Sequence, residues 1–430
     1  MILGADGYIG WPLSMKMANQ YGEVVAVDNY VTRKLVADVG GISAMPIGKD
    51  LKKRSESFEK EFHKKIEVVE GDLRNPNFVE ALIRKYKPET IIHLAQQRSA
   101  PYSQVTAQHA LYTETNNVAS NLNILFAMKK HKPNAHLLKM GTMGEYGTPN
   151  LRIEEGFMEV EYMGRRDKIM VPRMGGSWYH LSKIFDSYNV AYANRIWGIR
   201  ATDVMQGVVY GNRTEEMVNE DLLTRLDIDS VWGTVINKYC AQLIANGKLL
   251  IYGKGLMTRG FLSLQDSINA LTILTEKPAA EGEYRVVNQL DKIYNTVELA
   301  EKVKKIGEEL GFKAEMEPVE DPRVEAQQHF YEIVHEKLPA LGFSPKHNVD
   351  GQIRDIINDL DKYRKVWIRK KAVIAPSVYW KSGDNRSASK KLKWLERYTA
   401  KGYTGDHALG EKEEQTIMAQ ESTAGRSDGQ

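Results

Sequence analysis

Tyr179-His180-Leu181-Ser182-Lys183 places a phenol and an ammonium four residues apart. If the segment is helical, both side chains lie on one face. That spacing suits proton transfer. A tyrosine with an ordinary pKa near ~10 is a poor base at neutral pH, and a neighbouring positive charge favours its phenolate. The pair alone is common and mostly structural, so its context decides. Upstream, Thr142 stands at the end of a predicted strand, where its hydroxyl can join the tyrosine.

A second group of residues indicates what such a base would work with. Gly4-Ala5-Asp6-Gly7-Tyr8-Ile9-Gly10 follows a short apolar run and precedes a helical one. Glycines at this spacing allow a tight turn, close backbone approach to a pyrophosphate and helix-on-strand packing, with the helix N-terminus facing the phosphates. Asp6, Tyr8 and Ile9 are expected to contact the cofactor from the same loop. The run Glu23-Val24-Val25-Ala26-Val27-Asp28 ends in an acid placed to bond adenosine ribose hydroxyls. A carboxylate there repels a 2′-phosphate, so NAD is expected rather than NADP. Arg33 weakens that preference slightly, and Asn29 shares the turn. Asp72 and Leu73 are placed at the adenine edge, and Leu94 and Asn117 complete the expected cofactor contacts. A bound nicotinamide would bring a further positive charge beside Tyr179, and Lys183 can also hold its ribose.

These residues need a scaffold that gathers them. The chain opens as strand, glycine turn, helix to about Gln20, and strand. Further strands are predicted at 66–69, 90–94 and 136–140, with helices at 77–86 and 117–129. Alternation of this kind predicts an α/β fold, an NAD-binding Rossmann-type doubly wound parallel sheet with a smaller α/β substrate domain. Residues 1–204 are assigned to the NAD-binding part, with later segments returning to it. Residues 205–383 are assigned mainly to a substrate-binding part, and 384–430 to an extension that is basic and then disordered. A helix over 297–310 is opened by Asn295 with Glu298 three residues on, and closed by Gly311; another is expected over 352–371. The first strand looks short: either the sheet accepts a stub, or the natural chain begins further upstream.

Composition narrows the class. The chain has 430 residues, 42% hydrophobic and 27% charged, enough for a sizeable core. Its 59 basic and 56 acidic side chains leave a net charge of +3, which gives no electrostatic case for nucleic acid or membrane. The lone cysteine, Cys240, can form neither an internal disulfide nor a multi-thiolate metal site, and no metal is expected. No apolar run reaches the roughly 20 residues that span a bilayer. No signal peptide precedes the opening motif, and the expected compartment is the cytoplasm.

The glycine motif, Asp28, Asp72, His93-Leu94-Ala95, Asn117, Thr142 and Tyr179-x-x-x-Lys183 together resemble the extended short-chain dehydrogenase/reductase family. Longer blocks resemble its UDP-sulfoquinovose synthase branch. They are Gln96-Gln97-Arg98-Ser99-Ala100-Pro101-Tyr102-Ser103, Gly141-Thr142-Met143-Gly144-Glu145-Tyr146-Gly147, Gln206-Gly207-Val208-Val209-Tyr210-Gly211 and Thr258-Arg259-Gly260. The resemblance covers roughly residues 2 to 382. It implies UDP-glucose and sulfite as substrates and an order of chemistry set by the sugar: oxidation at C4, loss of water across C5 and C6, sulfite addition at C6, and hydride return. It implies Thr142, Tyr179 and Lys183 as the catalytic set, and a homodimer or higher homo-oligomer. Related 4,6-dehydratases carry Thr-Asp-Glu; here Met143 and Gly144 follow Thr142, and the acid comes at Glu145. The acid/base work must be shared differently, with His180 as first candidate and Glu145 as second. Arg98 is expected to hold sulfite or orient the sugar, and Arg259 and Arg323 to clamp the diphosphate. Gln206, Asn237, Tyr252, Thr258 and Glu325 are further substrate contacts implied by the family-like blocks. A UDP-glucose 4-epimerase or 4,6-dehydratase would share the cofactor motif but not these blocks. A catalytically silent nucleotide- or RNA-binding relative would not need Thr142, Tyr179 and Lys183 together.

Overall fold

The computed structural model describes residues 1–171, 173–324 and 330–381. Glu325 and the expected extension 384–430 lie outside these residues. The strands in chain order are β1 (Ile2–Leu3), β2 (Val24–Asp28), β3 (Ile66–Glu70), β4 (Thr90–His93), β5 (His136–Thr142), β6 (Phe157–Tyr162), β7 (Arg165–Met170), β8 (Ala201–Gln206), β9 (Val208–Tyr210), β10 (Lys248–Tyr252), β11 (Thr258–Ser263), β12 (Tyr284–Gln289), β13 (Lys292–Asn295) and β14 (Glu315–Val319). Seven of them form one sheet in the order β12-β8-β5-β4-β1-β2-β3. Every neighbouring pair in it is parallel.

Helices α1 (Gly10–Tyr21), α2 (Val31–Asp38), α3 (Leu51–Phe62), α4 (Pro76–Tyr86), α5 (Ala107–His131) and α6 (Trp178–Trp197) supply the crossovers. A parallel sheet must be covered on both faces, and alternate strand residues show how. Ile2, Ala26, Ile92 and Leu138 pack with Trp11 of α1 and Phe58 of α3. Their neighbours Leu3, Val27, Ile91 and Leu137 pack with Phe78 of α4, Ile124 of α5 and Val190 of α6. The expected doubly wound sheet is the one observed.

β1 is short and lies inside the sheet. Only Ile2 and Leu3 are in β1, yet they pair with Ala26 and Val27 on one side and Ile92 and His93 on the other. Two helices differ from expectation. The hydroxyl of Thr106 caps α5, so it starts at Ala107, ten residues before the predicted 117. The helix predicted over 352–371 spans Val349–Lys362. Past it, Trp367 turns back into the core and donates its indole N–H to the Leu360 carbonyl at 3.0 Å. The helix Thr296–Glu309 has the expected capping box between Asn295 and Glu298. Beyond the main sheet, β9, β11 and β13 form a three-stranded sheet, β10 pairs with β14, and β6 with β7.

Gly71, just past β3, shows how tightly one helix seats. A Cβ there would lie 2.1 Å from Cζ of Phe78, a fully buried residue of α4. Gly71→Ala is expected to destabilise the fold by about 1–3 kcal/mol through overpacking, lowering the urea midpoint with an unchanged slope. An unmoved midpoint would show that the ring can yield.

Candidate active site

The carboxyl ends of the parallel strands open onto a groove of about 1080 Å³. Its floor is the glycine loop. Gly4 has φ +90°, and a Cβ on it would lie 2.6 Å from the backbone N of Ala95, so the loop rests directly on the end of β4. A Cβ on Gly10 would come within 2.1 Å of the Gly4 carbonyl oxygen, which closes the turn into α1. Gly7 is less crowded, its nearest neighbour being the Gly4 carbonyl at 3.1 Å. This is a backbone cradle suited to a pyrophosphate.

Around it the groove collects Tyr8, Ile9, Asp28, Asn29, Asp72, Leu73 and Leu94, with Tyr179, Lys183, Arg98 and Gln206 toward the other end. Asp28 accepts the Asp6 and Tyr30 backbone N–H groups at 2.8 and 2.7 Å. Burial, with Asp6 nearby, pushes its pKa up to about 6, so it is ionised at neutral pH. The Tyr8 hydroxyl donates to the Gly211 carbonyl, and Asn29 caps the turn to Val31 at 3.0 Å. Asp72 is bound by Arg74.

Three expected cofactor contacts are used elsewhere. Asp6 is buried and ion-paired with Arg33 at 2.7 Å and Arg54 at 3.0 Å. Arg33 spends its donors on Asp6 and the carbonyls of Gly48 and Lys49. Asn117 does not line the groove: its amide accepts from the Gln97 N–H at 2.8 Å and donates to the Gln97 carbonyl at 3.0 Å and Ser182 Oγ at 2.9 Å. It ties the loop after β4 to α6 and has no capacity left for a ligand.

Ser177 caps α6 through the His180 N–H at 3.1 Å. Tyr179 and Lys183 therefore project from its first turns, with the Thr142 side chain beside the Tyr179 phenol. The Lys183 ammonium donates to the Gln96 side-chain carbonyl, while Gln96 donates to Asp186. Burial lowers the Lys183 pKa. Tyr179 differs from expectation: burial, then the Glu145 charge, push its pKa up, and Arg98 and the Thr142 hydrogen bond pull it down only in part. In this arrangement Lys183 is engaged with Gln96 and is not the group that lowers the phenol. A cation placed beside the ring would be.

Glu145 is corrected from candidate acid to structural anion. It is fully buried and accepts from Lys139 at 3.1 Å, the Thr142 N–H at 3.2 Å and Ser187 at 2.7 Å, with Arg173 at 3.3 Å. His180 instead overhangs the turn after Thr142. Its Nδ1 lies 3.0 Å from Ser177 Oγ, and a Cβ on Gly144 would meet its Nε2 at 2.2 Å. Gly144, the departure noted in the sequence, thus makes room for the imidazole.

Arg98 borders the groove, binds Asp227 and donates to the Trp232 carbonyl at 3.1 Å. Gln206, paired in register with Thr142, donates to Ser267 and Gln289 at 3.0 and 3.1 Å. The remaining substrate candidates do not line this groove. Asn237 accepts the Gly211 N–H at 3.4 Å. Arg259 donates to the Thr258 carbonyl at 2.7 Å, and the buried Thr258 hydroxyl has no partner. Tyr252 and Arg323 lie with a residue the sequence reading missed, Lys238, whose ammonium is 5.2 Å from the Tyr252 ring. Burial, with Arg323 nearby, pushes the Lys238 pKa down to about 7. Its signal was a lysine inside an apolar helix, Val235–Asn246. Gln96 was missed as well, although its place just beyond β4 on the binding edge of the sheet could have found it.

The NAD dependent epimerase/dehydratase family model matches residues 1–289. The chain is 46% identical over 382 residues to a UDP-sulfoquinovose synthase of Sulfolobus acidocaldarius, covering 89% of this chain and 97% of that one. It is 41% identical over 382 residues to the chloroplastic UDP-sulfoquinovose synthase of Spinacia oleracea, covering 89% and 79%. Among solved structures, the UDP-glucose 4-epimerase of Bifidobacterium longum in complex with NAD+ and UDP aligns with a TM-score of 0.62 at 17% identity, covering 84% of this chain and 97% of that one. A dTDP-glucose 4,6-dehydratase of Bacillus anthracis in complex with NAD aligns at 0.60 with 18% identity, covering 85% and 97%.

Gly144→Ala is expected to expel the His180 ring from the Thr142 turn and lower the melting temperature by several degrees, at about 1–3 kcal/mol for overpacking. Gly176→Ala, with nothing within 4 Å of the added carbon, is the control and should melt like the parent. Equal melting of the two variants would mean the imidazole is not held there.

Proposed function

Because the chain belongs to the NAD dependent epimerase/dehydratase family, and within it to the UDP-sulfoquinovose synthases, we propose that it converts UDP-glucose and sulfite to UDP-sulfoquinovose. The observation that carries the reading is a groove lined by the glycine cradle, Asp28, Tyr179 and Lys183, with Thr142 beside the Tyr179 phenol and the His180 ring packed against Tyr179 and the turn after Thr142. NAD, when bound, supplies a two-electron acceptor for sugar C4 and gives the electrons back at the end of the cycle. The cradle over α1 and the ionised Asp28 suit its pyrophosphate and adenosine ribose. With Arg33 locked onto Asp6, no free guanidinium there favours a 2′-phosphate.

Tyr179 takes the proton from the C4 hydroxyl, with Thr142 bonded to both oxygens. Lys183 exchanges Gln96 for ribose hydroxyls and adds its charge near the phenolate. The C4 ketone acidifies the C5 proton. His180 serves the C5 proton and the departing C6 hydroxyl, which leaves as water. Sulfite then bonds through sulfur to C6, C5 takes back a proton from His180, and the C4 carbonyl is reduced to the hydroxyl. Arg98, already set against Asp227, orients the sugar or the sulfite. Lys238 and Arg323 hold the UDP phosphates, with Tyr252, Arg259, Thr258, Asn237 and Gln206 around the substrate. Residues 1–204 with β12 form the cofactor part, and 205–383 mainly the UDP-sugar part.

Mass spectrometry of products from UDP-glucose with and without sulfite tests this. A UDP-hexose sulfonate that needs sulfite but no added reductant is expected. UDP-galactose, or a 4-keto-6-deoxy sugar formed regardless of sulfite, would replace the reading with an epimerase or dehydratase. Tyr179→Phe should lower turnover by about 10²–10⁴-fold. Lys238→Met should raise KM about 10- to 100-fold with kcat little changed.

A homodimer is proposed on a separate observation. Phe185, Tyr188, Tyr192 and Ile196 make an exposed apolar stripe along α6, beside exposed Leu111 and Phe126 of the packed helix α5. Such a stripe suits a matching copy. Tyr188→Glu/Tyr192→Glu is expected to halve the mass seen by light scattering; a parent that is already monomeric would refute the proposal. The cytoplasm is the proposed compartment, in keeping with a sequence of one cysteine, and cell fractionation checks it. No helix among the described residues is long and apolar enough to cross a membrane.

A further inference from the structure

A lysine lies buried directly behind the catalytic one. Lys139, on β5, is fully buried, and its ammonium meets Glu145 at 3.1 Å, Asp203 at 3.2 Å, Ser187 Oγ at 2.8 Å and the Lys183 carbonyl oxygen at 3.2 Å. Its partner Glu145 accepts the backbone N–H of Thr142 at 3.2 Å and the Ser187 hydroxyl at 2.7 Å. One ion pair therefore grips the backbones of two catalytic residues on different elements, Thr142 at the end of β5 and Lys183 on α6. Arg173 lies 3.3 Å from Glu145, and Asp203 also accepts from Tyr284 at 2.8 Å, so two cations face two anions.

We propose that Lys139 and Glu145 are positioning residues for the C4 oxidation step, setting the separation between Thr142 and the Tyr179–Lys183 turn of α6. Neither touches the groove, and both act through the backbones they hold. This rests on the proposed reaction only in taking UDP-glucose as the substrate oxidised at C4. A rigid span is what the chemistry needs, because displacing a reacting group by about 1 Å can cost about 10²-fold.

The pair also carries a charge effect that a purely structural role would not show. Tyr179 faces Glu145 and Asp186, which raise its pKa, and Arg98 and the Thr142 hydrogen bond, which lower it; Lys183 and His180 share its helix. Removing the Glu145 charge takes away an anion that opposes the phenolate. For Glu145→Gln the rising limb of the cofactor-reduction rate against pH therefore moves to lower pH.

The test measures reduction of the bound cofactor by UDP-glucose in the holoenzyme without sulfite, across pH, for Glu145→Gln and for Lys139→Met/Glu145→Gln. The double variant leaves Arg173 facing Asp203, so it stays charge-balanced and answers for a single variant that does not fold. Expected are a fall of about tenfold or more in the rate constant of cofactor reduction, with half-saturation by UDP-glucose within about threefold, and an acid-ward shift of the limb for Glu145→Gln. A double variant that reduces its cofactor at the parental rate, or one whose loss lies wholly in half-saturation, overturns the proposal. Since sulfite is absent, a parent that reduces its cofactor but makes no sulfonate would sink the sulfonation reading and still leave this one decided.

Discussion

A bare ammonium cannot sit inside a protein without carboxylates in reach, and Lys139 sits in the middle of the central sheet. Meeting that requirement organises much of what surrounds it. Asp203 must come from β8, Glu145 from the turn after β5, and Ser187 from the third turn of α6. Gly141 must lack a side chain, since a Cβ there would lie 2.8 Å from Asp203 Oδ1 and 3.0 Å from Glu145 Oε1. Sheet, helix and loop are thus registered by charge as well as by apolar packing, at the point where Thr142 leaves the sheet.

The cofactor end is registered by a second buried acid. Asp6 lies in the glycine loop, yet its carboxylate faces away from the groove toward Arg33 of α2 and Arg54 of α3. Arg54 in turn stacks 4.3 Å over the Trp11 ring of α1. The loop is held from behind, and its first N–H groups fix it to the sheet as well, Gly4 and Ala5 to the Val27 carbonyl and Asp6 to Asp28. The two ends of the groove follow one logic: side chains behind the strand ends fix the backbone, and the backbone presents the chemistry.

How much of this the sequence revealed depended on whether a signal was local. The Gly4/Gly7/Gly10 turn, Asp28 at a strand end, the Asn295–Glu298 cap and the Tyr179–Lys183 spacing are each set within a few residues, and each lies where expected. Asn117 and Glu145 were placed in the site by pattern, but the fold turned both inward, because their partners Gln97, Ser182, Lys139 and Ser187 come from other elements. The start of α5 was missed because Thr106 precedes a stretch without a clear apolar period. Lys139 gave almost no local cue and Lys238 only its place in an apolar helix, since what makes a buried lysine meaningful is the charge, or the lack of it, brought near by folding.

The strand order has a consequence for how the chain is made. β12, at the rim of the central sheet, pairs with β8, and the whole segment 207–283 is synthesised between them. At about 5–20 residues per second, the ribosome leaves the β8 edge unpaired for several seconds after the rest of the sheet has emerged. That edge is a ready template for a wrong strand. The charge cluster is also incomplete until then, because Tyr284, which donates to Asp203 at 2.8 Å, arrives on the same strand. The nascent protein therefore carries an open, partly unsatisfied flank until β12 emerges, and this is the interval in which a chaperone would have most to protect.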